Sequence, residues 1–157
     1  RGFPLSAKPA RRLPRFSARF WALPFAYLRT IHFPDTDAAG VVFFPNYFAM
    51  CHEAYEEALA AAGLNVAEFF SAHDLVVPVA KSSAEYLRPL RVGDRIRITV
   101  KPELLSENSF AIAYELFRLN PVEKLAARLR TEHVSTSLKL RERVPLPPAL
   151  AAWVRQG

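Results

Sequence analysis

Residues 33–59 read FPDTDAAGVVFFPNYFAMCHEAYEEAL, and the fold turns on how this stretch is parsed. From residue 44 to residue 62 the apolar positions Phe44, Phe48, Cys51, Tyr55 and Leu59 recur at spacings of three and four, and Tyr47, Met50 and Ala54 widen the same face. That is the period of an amphipathic helix. Glu53, Glu56 and Glu57 fall on its other side. Gly63 is a stop signal, because glycine takes the left-handed conformation that ends a helix. Pro45 suits the first turn, where a missing N–H costs no hydrogen bond. Ahead of the helix, residues 34–42 carry Asp35, Asp37 and Gly40 and read as a turn.

The neighbouring segments alternate differently. Residues 25–33 (FAYLRTIHF) are rich in aromatic and β-branched side chains and predict a strand. A short helix is expected over 66–72. Beyond it come only strand-like runs, at 75–87, 94–105, 110–119 and 124–140. Residues 95–100 (RIRITV) alternate cleanly, as a half-buried antiparallel strand does. Residues 106–109 and 119–123 carry the turn chemistry between strands. One long helix backed by an antiparallel sheet of about five strands is an α+β layer architecture. The tail, 145–157, is proline-rich and ends on an apolar ALAAWV run suited to a short docking helix.

Composition sets the outer limits. The 157 residues make one domain, with no internal repeat. The longest apolar runs are far below the ~20 residues of a membrane-spanning helix. A single cysteine, Cys51, excludes a disulfide framework and CxxC metal or redox chemistry. The glycine motifs of dinucleotide and P-loop nucleotide sites are absent. The net charge of +6 suggests an anionic partner until it is placed. Residues 1–34 hold seven basic residues and no acid, and the other 123 sum to −1. Residues 1–21 are therefore read as a basic, Pro- and Arg-rich extension, irregular in structure, and 22–157 as the domain. An acid-free, Arg-rich leader also fits an organelle transit segment. No nucleic-acid motif follows it, so neither a nucleic-acid partner nor a membrane span is expected.

Two carboxylates on a turn just before a helix place an acid beside unpaired backbone N–H groups and the positive end of the helix dipole. Such donors hold a developing oxyanion, at about 3–4 kcal/mol for one good donor. A carboxylate in the same pocket can attack a carbonyl or activate water. Asp-x-Asp before a helix is also ordinary capping chemistry.

The run Asp37-Ala38-Ala39-Gly40-Val41-Val42-Phe43-Phe44 followed by Asn46-Tyr47 resembles the active-site signature of hotdog-fold thioesterases of the 4-hydroxybenzoyl-CoA thioesterase group. With Asp35-Thr36 ahead and Met50-Cys51-His52-Glu53-Ala54-Tyr55-Glu56 behind, it is similar more narrowly to the 1,4-dihydroxy-2-naphthoyl-CoA hydrolases of phylloquinone and menaquinone synthesis. The likeness extends from about residue 22 to 153, through Val77-Pro78-Val79, Gly93-Asp94-Arg95, Asn108-Ser109-Phe110 and His133-Val134.

The resemblance implies a hotdog fold, a long central helix wrapped by the sheet, and hydrolysis of an aromatic acyl-CoA to free acid and CoA. It puts the catalytic carboxylate on Asp37 and the carbonyl-polarising backbone N–H on Phe44. Gly40, Val41, Tyr47, His52, Glu53 and Ser109 become site-shaping or substrate-binding residues, and Asp35 a turn or capping residue. It implies no metal or redox cofactor, CoA being part of the substrate. It implies a homo-oligomer, dimer or tetramer, with active sites shared between chains. It also implies a cytoplasmic setting like that of cyanobacteria, or a plastid if the extension is a transit segment. Several relatives bind CoA phosphates on a basic run ahead of the loop serine. Here Ser106-Glu107-Asn108 stands there, leaving Arg88, Arg91, Arg128 and Arg130 as candidates, each of which also reads as a solvated charge.

Other residues weigh less. His52-Glu53 begins like HExxH, but Glu56 stands at the last position, so the zinc motif fails. His52 reads as a structural or pocket residue, or as a partner of Glu53 across a dimer, and Glu53 as the rival catalytic acid. Cys51 reads as a buried thiol and His133 as a packed core histidine. His32 and His73 carry no spacing signal. The other functional reading within the class is a broad short-chain or benzoyl-type thioesterase. Outside it stands a non-catalytic acyl-CoA-binding module, which has no need of the acid. A hydratase on this fold would carry His five residues after the Asp, and Val42 is there instead.

Overall fold

The computed structural model describes residues 24–71 and 74–157. The 1–21 extension, and with it the expected domain boundary, lies outside the described residues, as does His73. Strand β1 is Phe25–Thr30, and a single 3-10 turn follows at Phe33–Asp35. Helix α1 is Asn46–Ala61 and the short α2 is Val66–Phe70. The strands β2 (Leu75–Val76), β3 (Val79–Tyr86), β4 (Arg95–Ser106), β5 (Ser109–Arg118), β6 (Lys124–Val134), β7 (Thr136–Ser137) and β8 (Glu142–Arg143) come next, and α3 (Pro148–Val154) closes the chain.

The main sheet is antiparallel, in the order β1-β4-β5-β6-β3, and a small second sheet runs β2-β7-β8. Val100, Tyr114, Leu129 and Ala84 stand opposite one another across four strands, so they share one face. Helix α1 lies over that face and buries Tyr47, Met50, Cys51, Ala54, Tyr55, Ala58 and Leu59. Against them stand Ile96, Ile98 and Val100 of β4 and Phe110, Ile112, Tyr114 and Leu116 of β5. The next register row, Thr99, Glu115, Arg128 and Glu85, faces away and carries the charge.

The expected tail helix forms and docks Leu150, Ala151, Trp153 and Val154 into the same core. Several boundaries differ from the sequence pattern. Helix α1 begins after Pro45, which is its N-cap rather than a first-turn residue. The apolar run 75–87 divides at Val77–Pro78, since proline cannot donate to a ladder. The run 124–140 breaks at Ser135, whose N–H goes instead to the Asn108 carbonyl at 2.8 Å. The strand expected to reach residue 33 ends at Thr30, where the chain turns through Pro34. Gly63 does stop α1, at φ 85°.

Strand β3 is an edge. All eight of its residues are exposed along their length, although β6 pairs with it on the other side.

Candidate active site

The Asp37 turn is pinned at both ends. Val42 N–H donates to the Leu90 carbonyl at 2.9 Å and pairs as a bridge with Thr36, while Phe43 N–H reaches the Asp35 carbonyl at 2.9 Å. Within it, Asp37 N–H donates to Val41 O at 2.9 Å and Gly40 N–H to Asp37 O at 3.0 Å. Gly40 sits at φ 73°, which this tight return requires and which other residues adopt at a cost. Arg91 crosses from the loop before β4 and donates its Nη1 to the Gly40 carbonyl at 3.3 Å. Val41, which closes the turn, is half-buried.

Held this way, the Asp37 carboxylate is exposed, and Oδ1 accepts only the Ala39 N–H, at 2.8 Å. The backbone N–H of Phe44 has no acceptor among the described residues. The Phe44 carbonyl, by contrast, accepts the Tyr86 hydroxyl at 3.3 Å. Tyr47 is buried edge-on against Tyr86, with centroids 4.9 Å apart, and burial pushes its phenol up. The turn thus presents an exposed carboxylate and, seven residues on, just ahead of the Pro45 N-cap, a backbone N–H without an acceptor among the described residues, with Phe43 and Phe44 exposed.

Asp35 has a different job. Arg29 grips it with Nη1 at 2.6 Å and Nη2 at 2.9 Å, and the His32 N–H adds 2.7 Å. Arg29 holds this carboxyl below the usual carboxylate range. The same guanidinium sends Nε to Glu53 at 2.8 Å, and the Tyr27 hydroxyl reaches the same oxygen at 3.4 Å. One arginine therefore ties β1, the turn and α1 together, and it occupies both Asp35 and Glu53. The sequence assigns no role to Arg29, because a lone cation in an alternating strand has no spacing signal.

His52 pairs with Glu56, Nδ1 to Oε1 at 2.8 Å, and within the chain it does not bond Glu53. Ser109 sits at the β4–β5 hairpin, with its hydroxyl 2.6 Å from that of Ser106. The Asp37 turn is anchored at the Arg95 end of β4, so the twelve residues of β4, roughly 40 Å of strand, separate it from Ser109. A single chain does not bring the two together. Of the arginine candidates, Arg128 bridges Glu85 and Glu115, both at 3.4 Å, and Arg130 pairs with Glu103 at 2.8 Å and Glu132 at 3.5 Å. Arg88 donates to the Leu125 carbonyl at 2.6 Å. Arg91 alone of the four touches the turn.

A recess of about 180 Å³ lies between α1 and the sheet, and sequence patterning misses it. Phe48, Cys51 and His52 form the helix side, and Tyr114, Thr131, His133, Val79 and Ser82 the sheet side. Cys51 is 1% exposed, and burial pushes its thiol up, which makes it an inert wall rather than a nucleophile.

This combination of fold and turn falls within a known class: the chain belongs to the thioesterase-like superfamily, which it matches over residues 31–154. The backbone also matches the hotdog thioesterase fold. Two curated relatives are each named 1,4-dihydroxy-2-naphthoyl-CoA hydrolase. That of Crocosphaera subtropica is 43% identical over 131 residues, covering 83% of this chain and 96% of the relative. That of Thermosynechococcus vestitus is 44% identical over 131 residues, covering 83% and 88%. The crystal structure of a 1,4-dihydroxy-2-naphthoyl-CoA thioesterase from Synechocystis superposes with a TM-score of 0.79 at 33% identity, covering 83% of this chain and 95% of that one. A gentisyl-coenzyme A thioesterase superposes at 0.70 and 25% identity, over 80% and 98%.

Proposed function

We propose that the protein hydrolyses 1,4-dihydroxy-2-naphthoyl-CoA to the free acid and CoA at the Asp37 turn. The observation that carries this reading is the pairing of an uncommitted Asp37 carboxylate with an uncommitted Phe44 N–H, in a turn where Asp35 is already bound. The thioester carbonyl oxygen accepts the Phe44 N–H, and the charge it gains in the tetrahedral intermediate is stabilised there and by the α1 dipole. Two routes use the same atoms. In one, Asp37 removes a proton from water as the water oxygen bonds to the carbonyl carbon. In the other, an Asp37 oxygen bonds to that carbon, the C–S bond breaks, and water then cleaves the mixed anhydride. In both, the CoA sulfur leaves as thiolate and takes up a proton. The carboxylate and the N–H supply the activation, so the reading calls for no metal or redox cofactor.

The bare edge of β3 supports a homodimer, since an open row of N–H and C=O groups needs a partner strand. Ser109 reaches a thioester site only from a second copy. Arg91, on the turn, is the candidate for the CoA phosphates. The domain proposed is 22–157. A cytoplasmic setting is proposed, or a plastid one if residues 1–21 act as a transit segment; fusing them to a fluorescent reporter decides between the two. No helix among the described residues is long and apolar enough to cross a membrane.

The likeness to a gentisyl-coenzyme A thioesterase favours, as second reading, a benzoyl-type substrate. A panel separates the readings: dihydroxynaphthoyl-, benzoyl- and short aliphatic CoA esters, with wild type and Asp37→Asn. The proposed function predicts fastest turnover of the first ester and a loss of at least about 100-fold in the variant. Inert wild type on all three would leave the binding-module reading standing. Near-normal turnover by Asp37→Asn, with Glu53→Gln dead, would move the catalytic acid to α1. Oxygen-18 in Asp37 after a single turnover selects the covalent route, and its absence selects the general-base route.

A further inference from the structure

The recess between α1 and the sheet is walled mostly by apolar atoms, among them the side chains of Phe48, Cys51 and Val79. Its volume, about 180 Å³, is of the order of a cavity that admits one aromatic ring, roughly 150 Å³. Set into the sheet side is a hydroxyl in an unusual position. Thr131 is 8% exposed, and its Oγ1 lies 2.8 Å from His133 Nε2 and 3.4 Å from the Tyr114 hydroxyl. A threonine hydroxyl has one proton and two lone pairs, so two contacts leave one position open.

The groups around it are fixed. His133 is 2% exposed and stacks flat on Phe110, at 4.8 Å and 6°. Burial pulls its pKa down to about 4, so the ring is neutral at working pH. Behind the Thr131 hydroxyl, two buried polar atoms lack a hydrogen-bond partner among the described residues: His133 Nδ1, and Oη of Tyr55, whose ring lies 5.4 Å from that of His133. Of the polar groups in this cluster, the Thr131 hydroxyl lines the recess and keeps an open hydrogen-bond position.

We infer that Thr131, positioned by His133 and Tyr114, reads a ring hydroxyl of the aromatic acyl group in this recess and so selects hydroxylated over unsubstituted aromatic thioesters. The inference rests on the proposed thioesterase reading and deepens it by assigning substrate choice to a residue on β6. Cys51 and Phe48 present no polar atom of comparable strength, the His52 side chain is partly exposed and tied through Nδ1 to Glu56 at 2.8 Å, and Ser82 stands on the exposed β3 rim. The recess lies within one chain, whichever copy's Asp37 turn presents the thioester. Thr131 does not touch the reacting carbonyl; it is a specificity residue.

The test compares 1,4-dihydroxy-2-naphthoyl-CoA with 2-naphthoyl-CoA, worked under anaerobic conditions, for wild type, Thr131→Val and Thr131→Ser. Thr131→Val keeps the volume and deletes the hydroxyl. It should lower kcat/KM on the hydroxylated ester by roughly 5- to 100-fold, while the unsubstituted ester changes less than about 3-fold. Thr131→Ser should keep the wild-type preference. Equal losses on both esters, or no loss on either, would overturn the assignment, because a purely structural hydroxyl does not distinguish substrates. Calorimetric binding of the two free acids gives a second readout that does not need turnover. Wild type should bind dihydroxynaphthoate more tightly than naphthoate, and Thr131→Val should erase the difference. Wild type that binds selectively but hydrolyses neither ester refutes the thioesterase reading alone. Wild type that hydrolyses both without preference, unchanged by Thr131→Val, refutes this inference alone.

Discussion

Asp35 and Asp37 stand two residues apart on one turn, yet their substitutions to asparagine should fail in opposite ways. Asp35→Asn keeps the side-chain shape but turns an acceptor of three donors into an amide whose NH2 faces a guanidinium. The donors lost or weakened are Arg29 Nη1 and Nη2 and the His32 N–H, at 2.6, 2.9 and 2.7 Å. The Arg29 and Asp35 side chains are 15% and 13% exposed, so the pair is largely shielded from water. Breaking a fully buried pair costs about 3–5 kcal/mol. Arg29 keeps Glu53 and some solvent here, so a loss of about 2–3 kcal/mol is expected.

At a urea slope near 2 kcal/mol/M that loss moves the unfolding midpoint by roughly 1 M. The measurement is urea unfolding at pH 7 and again near pH 3, at fixed protein concentration. The sign follows from linkage: Asp35 is held below its ordinary value of 3.8, so its contribution is present above that value and is lost as pH falls through the lowered one. The gap between wild type and variant should therefore shrink at low pH. Asp37→Asn, exposed and accepting one N–H, should change stability by less than about 0.5 kcal/mol while abolishing turnover. An Asp35→Asn protein as stable as wild type at pH 7, or a gap undiminished near pH 3, would refute the account of Arg29 as the tie between β1, turn and helix.

Two further outcomes follow from the geometry. Gly40→Ala puts a Cβ no closer than 3.8 Å to Arg91 Nη1, so its penalty is the φ of 73° alone. We expect about 1–2 kcal/mol of strain, felt chiefly as a lower kcat because the turn carrying Asp37 relaxes; full activity would refute the need for this conformation. His133 is neutral in the fold, with a pKa near 4 against 6.5 for the free side chain. The unfolded chain protonates it first, so stability should be full above pH ~6.5 and fall by about 3 kcal/mol on the way to pH 4. An NMR titration placing the His133 ring above pH 6 would contradict this.

Much of the molecule is legible in local pattern. The three-and-four spacing of Phe48, Cys51, Tyr55 and Leu59 and the two-residue alternation of 95–100 are written along the chain itself. Periodicity is a local property, and a buried face repeats with it. Boundaries are less legible where a backbone group finds a distant partner. Ser135 leaves the ladder for Asn108, and Pro78 splits an apolar run that reads as one strand. At the site, the order Asp37, Gly40, Phe44 was readable because turn, acid and helix start are neighbours in sequence.

Three matters were decided only in three dimensions. Glu53 looks like a rival acid, and Asp35 like a plain turn residue, until Arg29, from β1, binds both. Ser109 reads as a neighbour of the Asp37 turn until β4 carries it, within one chain, to the far end of the sheet. The recess around Thr131 exists because β5, β6 and α1 converge on Tyr114, His133 and Cys51, which are far apart along the chain. The sequence by itself determined which elements form and where an acid meets a helix start, since both depend on residues a few positions apart. Only the tertiary structure decided which carboxylates are paired and which side chains line the recess, because charge pairing and cavity shape are set by side chains from different elements.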